Sequence, residues 1–183
     1  WAGRAASGGT VTDGGVSLVV PATHWDAGLA YGLIDFRGTE PSPTADVLTR
    51  LAFWYRVEGL DSHELRLPPP SIELYTDQAT FLWTNLDGRN LDLDIVIRPG
   101  DSEAPSGWLS IIATVRNTGT QARRVFLFCY LDVDGGGTPG DDVGELRGST
   151  QLALHDSPSA PPVRVLLRAG QSWSVRGVNA SDN

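Results

Sequence analysis

The sequence predicts an all-β fold, an antiparallel two-sheet β-sandwich of jelly-roll or Ig-like type with very little helix. Strand-like runs recur at intervals of roughly ten to fifteen residues, with turn residues between them, which is typical of sandwiches and barrels. The 21 glycines and 12 prolines stand mostly between these runs. A short helix is expected only at residues 44–51, where Thr44 could act as the N-cap.

The predicted strands are 15–21, 29–36, 51–57, 71–76, 80–84, 91–98, 108–116, 123–132, 151–154, 163–168 and 172–178. Residues 91–97 show the clearest alternation, with Leu or Ile at every second position, which is the period of a half-buried strand. We expect the core to include apolar side chains of the alternating strands: Leu93, Ile95, Leu109, Ile111, Val115, Leu127 and Cys129.

A β-hairpin is predicted at residues 108–132, where 117–120 supply the turn. The second strand of the hairpin is apolar on both faces, since Phe126, Phe128 and Tyr130 alternate with Val, Leu and Cys. A strand of this kind must be covered on both sides, and we expect one cover to come from its own sandwich and the other from a partner.

A chain of 183 residues fits one domain, or two small ones, and can bury a sizeable core. Residues 1–14 are assigned to an N-terminal extension that could serve as an inter-subunit arm. Residues 15–183 are assigned to a single β-sandwich domain, because no linker or internal repeat interrupts them.

The charge balance excludes two classes of partner. The net charge is −8, and all 14 basic residues are Arg, with Arg123–Arg124 the only adjacent pair. Nucleic acid and anionic membranes both require clustered cations. The sequence also has no apolar run of the ~20 residues that a membrane helix needs, so membrane insertion is not expected.

Two residue types bear on processing and redox chemistry. The chain contains no Met and begins with Trp1, which favours a processed, exported protein. Its single cysteine, Cys129, excludes an internal disulfide framework. Cys129 is expected to act as a small buried hydrophobe.

An acidic, glycine-rich loop follows the hairpin. Asp132, Asp134, Asp141 and Asp142 could supply oxygen ligands to Ca²⁺, while the glycines let the backbone fold around the ion. The spacing is not that of an EF-hand, because the twelfth position of the loop is Val143 rather than Glu. An ordinary solvated loop is the alternative, and the sequence leaves both open.

Other patterns are less specific. The six Trp residues could form a sugar-stacking surface, but most lie in strand runs, where aromatic residues usually serve a core or an interface. The three His residues lack metal-ligand spacing. No nucleophile motif or phosphate-binding loop is present, so an enzyme is not expected.

Three short segments carry a resemblance to known proteins: 117–119, 126–134 and 137–142. Together they resemble a pattern in exported bacterial β-sandwich proteins, many of them in the PEP-CTERM group of surface-sorted proteins. The resemblance implies an extracellular or cell-surface location and a non-enzymatic role. The C-terminal sorting segment of that group has no counterpart at 179–183.

We therefore expect an extracellular structural protein, a β-sandwich subunit of a bacterial surface filament, pilus-like fibre or layer, that forms a homo-oligomer or polymer through sheet-edge contacts. Val16, Leu18 and Val20 lie on one face of the first strand and are the expected subunit contact. The alternative for this segment is an ordinary strand of its own sandwich. The alternative function is a secreted carbohydrate- or ligand-binding module.

Overall fold

The computed structural model describes residues 9–13, 16–20, 35–38, 45–101, 107–133, 143–147, 151–155 and 164–168. These residues form thirteen strands and one 3₁₀ turn, Leu86–Gly88. The strands are β1 Gly9–Asp13, β2 Val16–Val20, β3 Asp35–Gly38, β4 Ala45–Val57, β5 Leu65–Arg66, β6 Ser71–Leu74, β7 Ala79–Trp83, β8 Leu91–Asp101, β9 Gly107–Asn117, β10 Val125–Val133, β11 Val143–Arg147, β12 Gln151–His155 and β13 Arg164–Arg168. The expectation of antiparallel sheets with almost no helix is confirmed for this part of the chain.

The helix expected at 44–51 is wrong, because β4 runs through these residues as Ala45–Val57. Val47, Thr49 and Leu51 continue an alternation that leads into Phe53 and Tyr55. β-branched and aromatic residues at every second position favour a pleated strand over a helix. The capping signal at Thr44 was therefore overridden by the longer pattern.

The chain divides into two compact units, Trp1–Asp132 and Val133–Asn183. Two sheets lie mainly in the first unit. One has the order β1-β2-β3-β4-β10, with β5 paired to β4, and the other has the order β6-β7-β8-β9. The second unit contains a three-stranded antiparallel sheet, β11-β12-β13.

The core of the first unit lies where β1 and β2 pack against β8. Val11 pairs with Leu18 across the β1–β2 hairpin, and both side chains are buried. β1 lies within residues 1–14, where an extension was predicted, and it pairs with β2 along its whole length. The buried apolar side chains of the described residues are Val11, Leu18, Val20, Leu51, Ala52, Phe53, Tyr55, Val57, Leu67, Ala79, Phe81, Trp83, Leu86, Leu91, Leu93, Ile95 and Ile97.

The predicted core residues separate by strand. Leu93 and Ile95 are buried in β8, as predicted. On the same face of β9, Ile111 is only half-buried, and Val115, which was predicted to be buried, is 42 % exposed. The alternation was correct, but β9 lies one strand farther out than the strand that β1 and β2 cover.

The β-hairpin predicted at residues 108–132 is wrong, because β9 ends the four-stranded sheet, whereas β10 lies beside β4 in the other sheet. The core residues predicted on these two strands need correction as well. Leu109 and Leu127 are half-buried, and Cys129 is exposed rather than buried. Exposure and titration differ at this cysteine: the residue is accessible, yet desolvation of the thiol raises the pKa of Cys129 to about 12. Accessibility decides whether a reagent can reach the sulfur, and the pKa decides the thiolate fraction. The Cys129 thiol is therefore protonated at neutral pH and a weak nucleophile.

Candidate functional site

The turn between β7 and β8 holds three non-glycine residues in the left-handed region. Asn85, Asp87 and Asn90 have φ values of 49°, 48° and 57°. This conformation costs about 1–2 kcal/mol per residue, although Asn and Asp tolerate it best. Such residues persist only where the surroundings hold them, and they concentrate at functional sites. This turn is therefore a candidate functional site.

Hydrogen bonds hold the turn at both ends. The Asn90 backbone N–H donates to Asn85 Oδ1 at 2.8 Å, and the Asn85 N–H donates to Asp92 Oδ1 at 2.9 Å. The carbonyl of Asn90 accepts from the Thr118 N–H at 2.8 Å, which ties the turn to the residue after β9. These bonds compensate the strained backbone.

A polar network joins the same turn to β4. The Tyr55 hydroxyl donates to Asp87, and Arg89 donates to Asp61 Oδ2. Asp61 Oδ2 also accepts from the Val57 N–H at 2.8 Å. The Arg89 guanidinium lies over the Tyr55 ring, 5.3 Å from its centroid.

The electrostatics of the network favour a structural role. Burial, followed by the hydrogen bond to Asp87, raises the pKa of Tyr55 well above its ordinary value. The hydrogen bond from Arg89 holds the pKa of Asp61 below its ordinary value, and Asp61 in turn raises the pKa of Arg89. Tyr55 thus remains a protonated donor, while Asp61 and Arg89 remain charged. None of these groups is poised to exchange a proton near neutral pH.

An open cleft of about 330 Å³ lies beside the turn. Residues 68–70 form one wall, and Trp83, Leu86 and Asp87 contribute to the rest. The Trp83 indole N–H donates to the Pro68 carbonyl at 2.6 Å, so the ring holds the proline segment in place. Ser71 and Thr84 also line the cleft, and the Asp87 carboxylate already accepts a hydrogen bond from Tyr55.

A second surface lies on the outward face of the four-stranded sheet, opposite the buried side chains of β8. Arg98 of β8 pairs with Ser110 of β9, and hydrogen bonds add Tyr75 and Gln78, in the turn between β6 and β7, to the same row. The Tyr75 N–H donates to the Gln78 carbonyl at 2.8 Å, and Arg98 Nε donates to Gln78 Oε1 at 2.7 Å. The row is therefore ordered by its own hydrogen bonds.

Trp108 lies beside this row, paired with Gly100 of β8. A Cβ atom on Gly100 would collide with the indole ring of Trp108, so the ring occupies the space above the glycine. Gly100 is buried, whereas Trp108 is 46 % exposed. Gly100 thus leaves room for an aromatic ring that remains exposed to solvent.

The strand β9 is itself a third surface. It is eleven residues long and ends the order β6-β7-β8-β9 among the described strands. Trp108 and Ile112 (51 % exposed) lie on its outward face, and Val115 lies on the opposite face. Exposed apolar side chains on both faces of a long edge strand are typical of a surface that pairs with another chain.

The two-sided strand β10 is half-covered on both faces. On one face, the Arg56 guanidinium lies 4.7 Å from the Phe126 ring centroid, and Arg124 lies 5.5 Å from it. Trp54 meets Tyr130 edge to face, with 6.0 Å between the ring centroids. Side chains of β4 therefore supply part of the cover that the protein itself was expected to provide on one face of this strand.

The sequence-predicted site residues have different positions. Asp132 belongs to β10, but its side chain, like Asp134, Asp141 and Asp142, lies outside the described residues. Among the residues that are described, no three His, Cys, Asp or Glu side chains cluster in a way that could hold a metal. This observation does not apply to the proposed calcium loop, because its carboxylates lie outside the described residues.

The predicted subunit contact lies on β2. The side chain of Val16 is outside the described residues, while Leu18 and Val20 are buried in their own sheet, between β1 and β3. A contact through their apolar face would require that face to separate from β8, against which β2 packs. The described residues also contain no helix long and apolar enough to span a bilayer.

Sequence reasoning missed the row from Tyr75 to Ser110 and the exposed end of β9. Alternation put Tyr75 and Arg98 on strand faces, but only the pairing register brings them together. Comparison with family models, with curated proteins and with solved structures gives no match to this chain.

Proposed function

We propose that this protein is an extracellular structural protein, a β-sandwich subunit of a bacterial surface filament, pilus-like fibre or layer, whose copies associate through the edge strand β9. The observation that carries the proposal is the eleven-residue edge with exposed Trp108, Ile112 and Val115. Soluble proteins normally protect such an edge with charges, proline or a covering segment. The central part of β9, residues 109–115, has no charged residue.

The second edge of the same sheet is the proposed acceptor. The pairs β6–β7, β7–β8 and β8–β9 are all antiparallel, so β6 runs opposite to β9. A second copy in the same orientation can therefore place its β6 antiparallel to β9 and extend the sheet. Head-to-tail addition of this kind does not close on itself and builds a fibre. A β9-to-β9 contact would instead give a closed dimer.

The length of β6 sets the expected strength of the contact. Because β6 has only four residues, Ser71–Leu74, it can pair with only part of β9. Main-chain hydrogen bonds and the apolar side chains of β9 both contribute to strand addition. We therefore expect assembly to depend on protein concentration.

We also propose that the fold is a two-sheet sandwich. Its support is the packing of β1 and β2 against β8, which buries Leu18 and Leu93. The proposed extracellular location rests on the resemblance of residues 117–142 to exported surface proteins. The acidic loop with Asp132, Asp134, Asp141 and Asp142 is proposed to bind Ca²⁺, as its ligand chemistry suggests.

Sedimentation velocity over a range of concentrations tests the association. Ile112→Lys and Val115→Lys each place a charge on the β9 edge and should shift the wild-type assemblies to monomers. Leu60→Lys is the matched control, because Leu60 is as exposed as Ile112, 51 %, but lies in the turn after β4. Circular dichroism should show folded β protein for all three variants.

Assemblies of unchanged size in both edge variants would contradict the role of β9. So would a wild-type chain that stays monomeric at the highest concentration that remains soluble.

A further inference from the structure

We infer that the outward face of the β6–β9 sheet binds an extended oligosaccharide between Tyr75 and Trp108. This activity goes beyond the proposed structural role, since it uses the face of the sheet rather than its edge. The two residues are among the most exposed large apolar side chains in the described part of the chain, at 51 % and 46 %.

The spacing of the two rings sets the size of the ligand. Strands lie about 4.8 Å apart, so Tyr75 and Ser110 are separated by roughly 14 Å across three spacings. Trp108 lies two residues farther along β9, which brings its distance from Tyr75 to roughly 16 Å between Cα atoms. This span is longer than a single sugar ring, so the ligand must be a chain of several sugars.

Polar groups fill the interval between the rings. Gln78 and Arg98 lie in the row between Tyr75 and Ser110, and their mutual hydrogen bond of 2.7 Å fixes their orientation. Arg has five N–H donors, of which this bond engages one, and an amide offers both donor and acceptor atoms. Sugar hydroxyls need such donors and acceptors, whereas the C–H faces of sugar rings pack on aromatic faces.

Both aromatic residues are held in place before a ligand arrives. The Trp108 ring lies over Gly100, and the Tyr75 hydroxyl donates to Glu73 Oε2 at 2.7 Å. Little side-chain freedom then remains to be lost on binding, which favours affinity.

Charge selects against other extended ligands. Glu73, Asp92 and Asp94 share the outward face with the row, where Arg116 Nε lies 3.6 Å from Asp92 Oδ2, and the chain carries a net charge of −8. A polyanion such as a nucleic acid would be repelled. A neutral sugar chain is not, so we assign the surface to neutral oligosaccharides.

Isothermal titration calorimetry of the full chain with cellohexaose, chitohexaose and mannohexaose tests the inference. We expect at least one hexasaccharide to bind, and its disaccharide to bind at least about tenfold more weakly because it cannot reach both rings. Trp108→Ala and Tyr75→Ala should each weaken binding about tenfold or more, a loss of about 1.4 kcal/mol. Arg98→Ala should also weaken binding, and as an exposed substitution it gives a readout if the Trp108 variant is unstable.

Two controls separate this site from the edge contact. Leu60→Ala removes an equally exposed apolar side chain outside the row. Val115→Lys changes β9 on the opposite face of the sheet. Both should bind the hexasaccharide as the wild type does. Absence of binding to all three hexasaccharides would overturn the inference, as would unchanged binding in either aromatic variant.

Discussion

The hydroxyl of Tyr55, near the end of β4, donates a hydrogen bond to the carboxylate of Asp87, in the turn between β7 and β8. The two residues are 32 positions apart: Tyr55 belongs to one sheet of the first unit, and the turn that contains Asp87 joins two strands of the other. Tyr55 is fully buried, and Asp87 has φ of 48°. The bond therefore fastens a strained turn to the core.

Tyr55→Phe removes only this hydroxyl and should lower the free energy of unfolding by about 1.5–3 kcal/mol, the range for a hydrogen bond to a charged group. Urea denaturation measures the change. Tyr75→Phe is the control, because it deletes a similar tyrosine–carboxylate bond on the exposed surface and should leave stability unchanged. Equal effects of the two substitutions would show that the bond to Asp87 does not hold the turn.

Asp61 makes stability dependent on pH. Its folded pKa is lowered, so its contribution is fully present above the unfolded value of about 3.9 and is lost as the pH falls through the folded value. Asp61→Asn should therefore cost about 2 kcal/mol at pH 7 and progressively less below about pH 4. Urea denaturation at a series of pH values measures the difference.

The control for Asp61 is an ion pair on the surface. Glu58 and Arg124 are 3.5 Å apart, and both side chains are more than half exposed. Glu58→Gln should have no measurable effect on the free energy of unfolding at pH 7 or at pH 3. A cost of Asp61→Asn that stays constant from pH 7 to pH 3 would contradict the link to its carboxylate charge.

Gly100 and Trp108 should behave as a coupled pair. Gly100→Ala places a methyl group where the indole lies, so we expect a loss of about 1–3 kcal/mol and a change in tryptophan fluorescence. In a Trp108→Ala background the same substitution should cost much less, because the obstacle is gone. Thermal unfolding of the four chains measures the coupling, and additive losses would refute it.

The acidic loop gives a prediction from sequence alone. If Asp132, Asp134, Asp141 and Asp142 bind Ca²⁺ in the native state, the ion stabilises the fold by mass action. Chelator should then lower the melting temperature, and added Ca²⁺ should restore it. The melting temperature of the double variant Asp132→Asn/Asp134→Asn should respond to neither chelator nor Ca²⁺. A wild-type melting curve that chelator leaves unchanged would contradict Ca²⁺ binding by the loop.

Particular residues show how far sequence reasoning reached. Leu93 and Ile95 were predicted correctly, because strict alternation marks a strand face and β8 is central enough for that face to be covered. Val115 has the same alternation, but burial depends on which strand lies above it, and β9 is at the edge. Alternation shows which side chains share one face of a strand, but it does not show whether another strand packs against that face.

The candidate sites depended on pairing between distant segments. Tyr55 meets Asp87, and Tyr75 shares a row with Arg98, only because of the register between strands. Nothing local in the sequence encodes those registers. The sequence did indicate Trp residues as candidates for sugar stacking. The structure distinguishes Trp108 among them, because its ring packs over Gly100.

The most direct test of head-to-tail assembly is a cross-linking experiment on Cys129→Ser/Ser71→Cys/Ile112→Cys. The new cysteines lie on β6 and β9, roughly 16 Å apart between Cα atoms across one sheet, so a bismaleimide shorter than that span cannot join them within one copy. We predict a ladder of dimers, trimers and larger products on a denaturing gel. Chains with either cysteine alone should stop at dimers or remain monomeric. If the double-cysteine chain also stops at dimers, the contact closes on itself and the fibre account is contradicted.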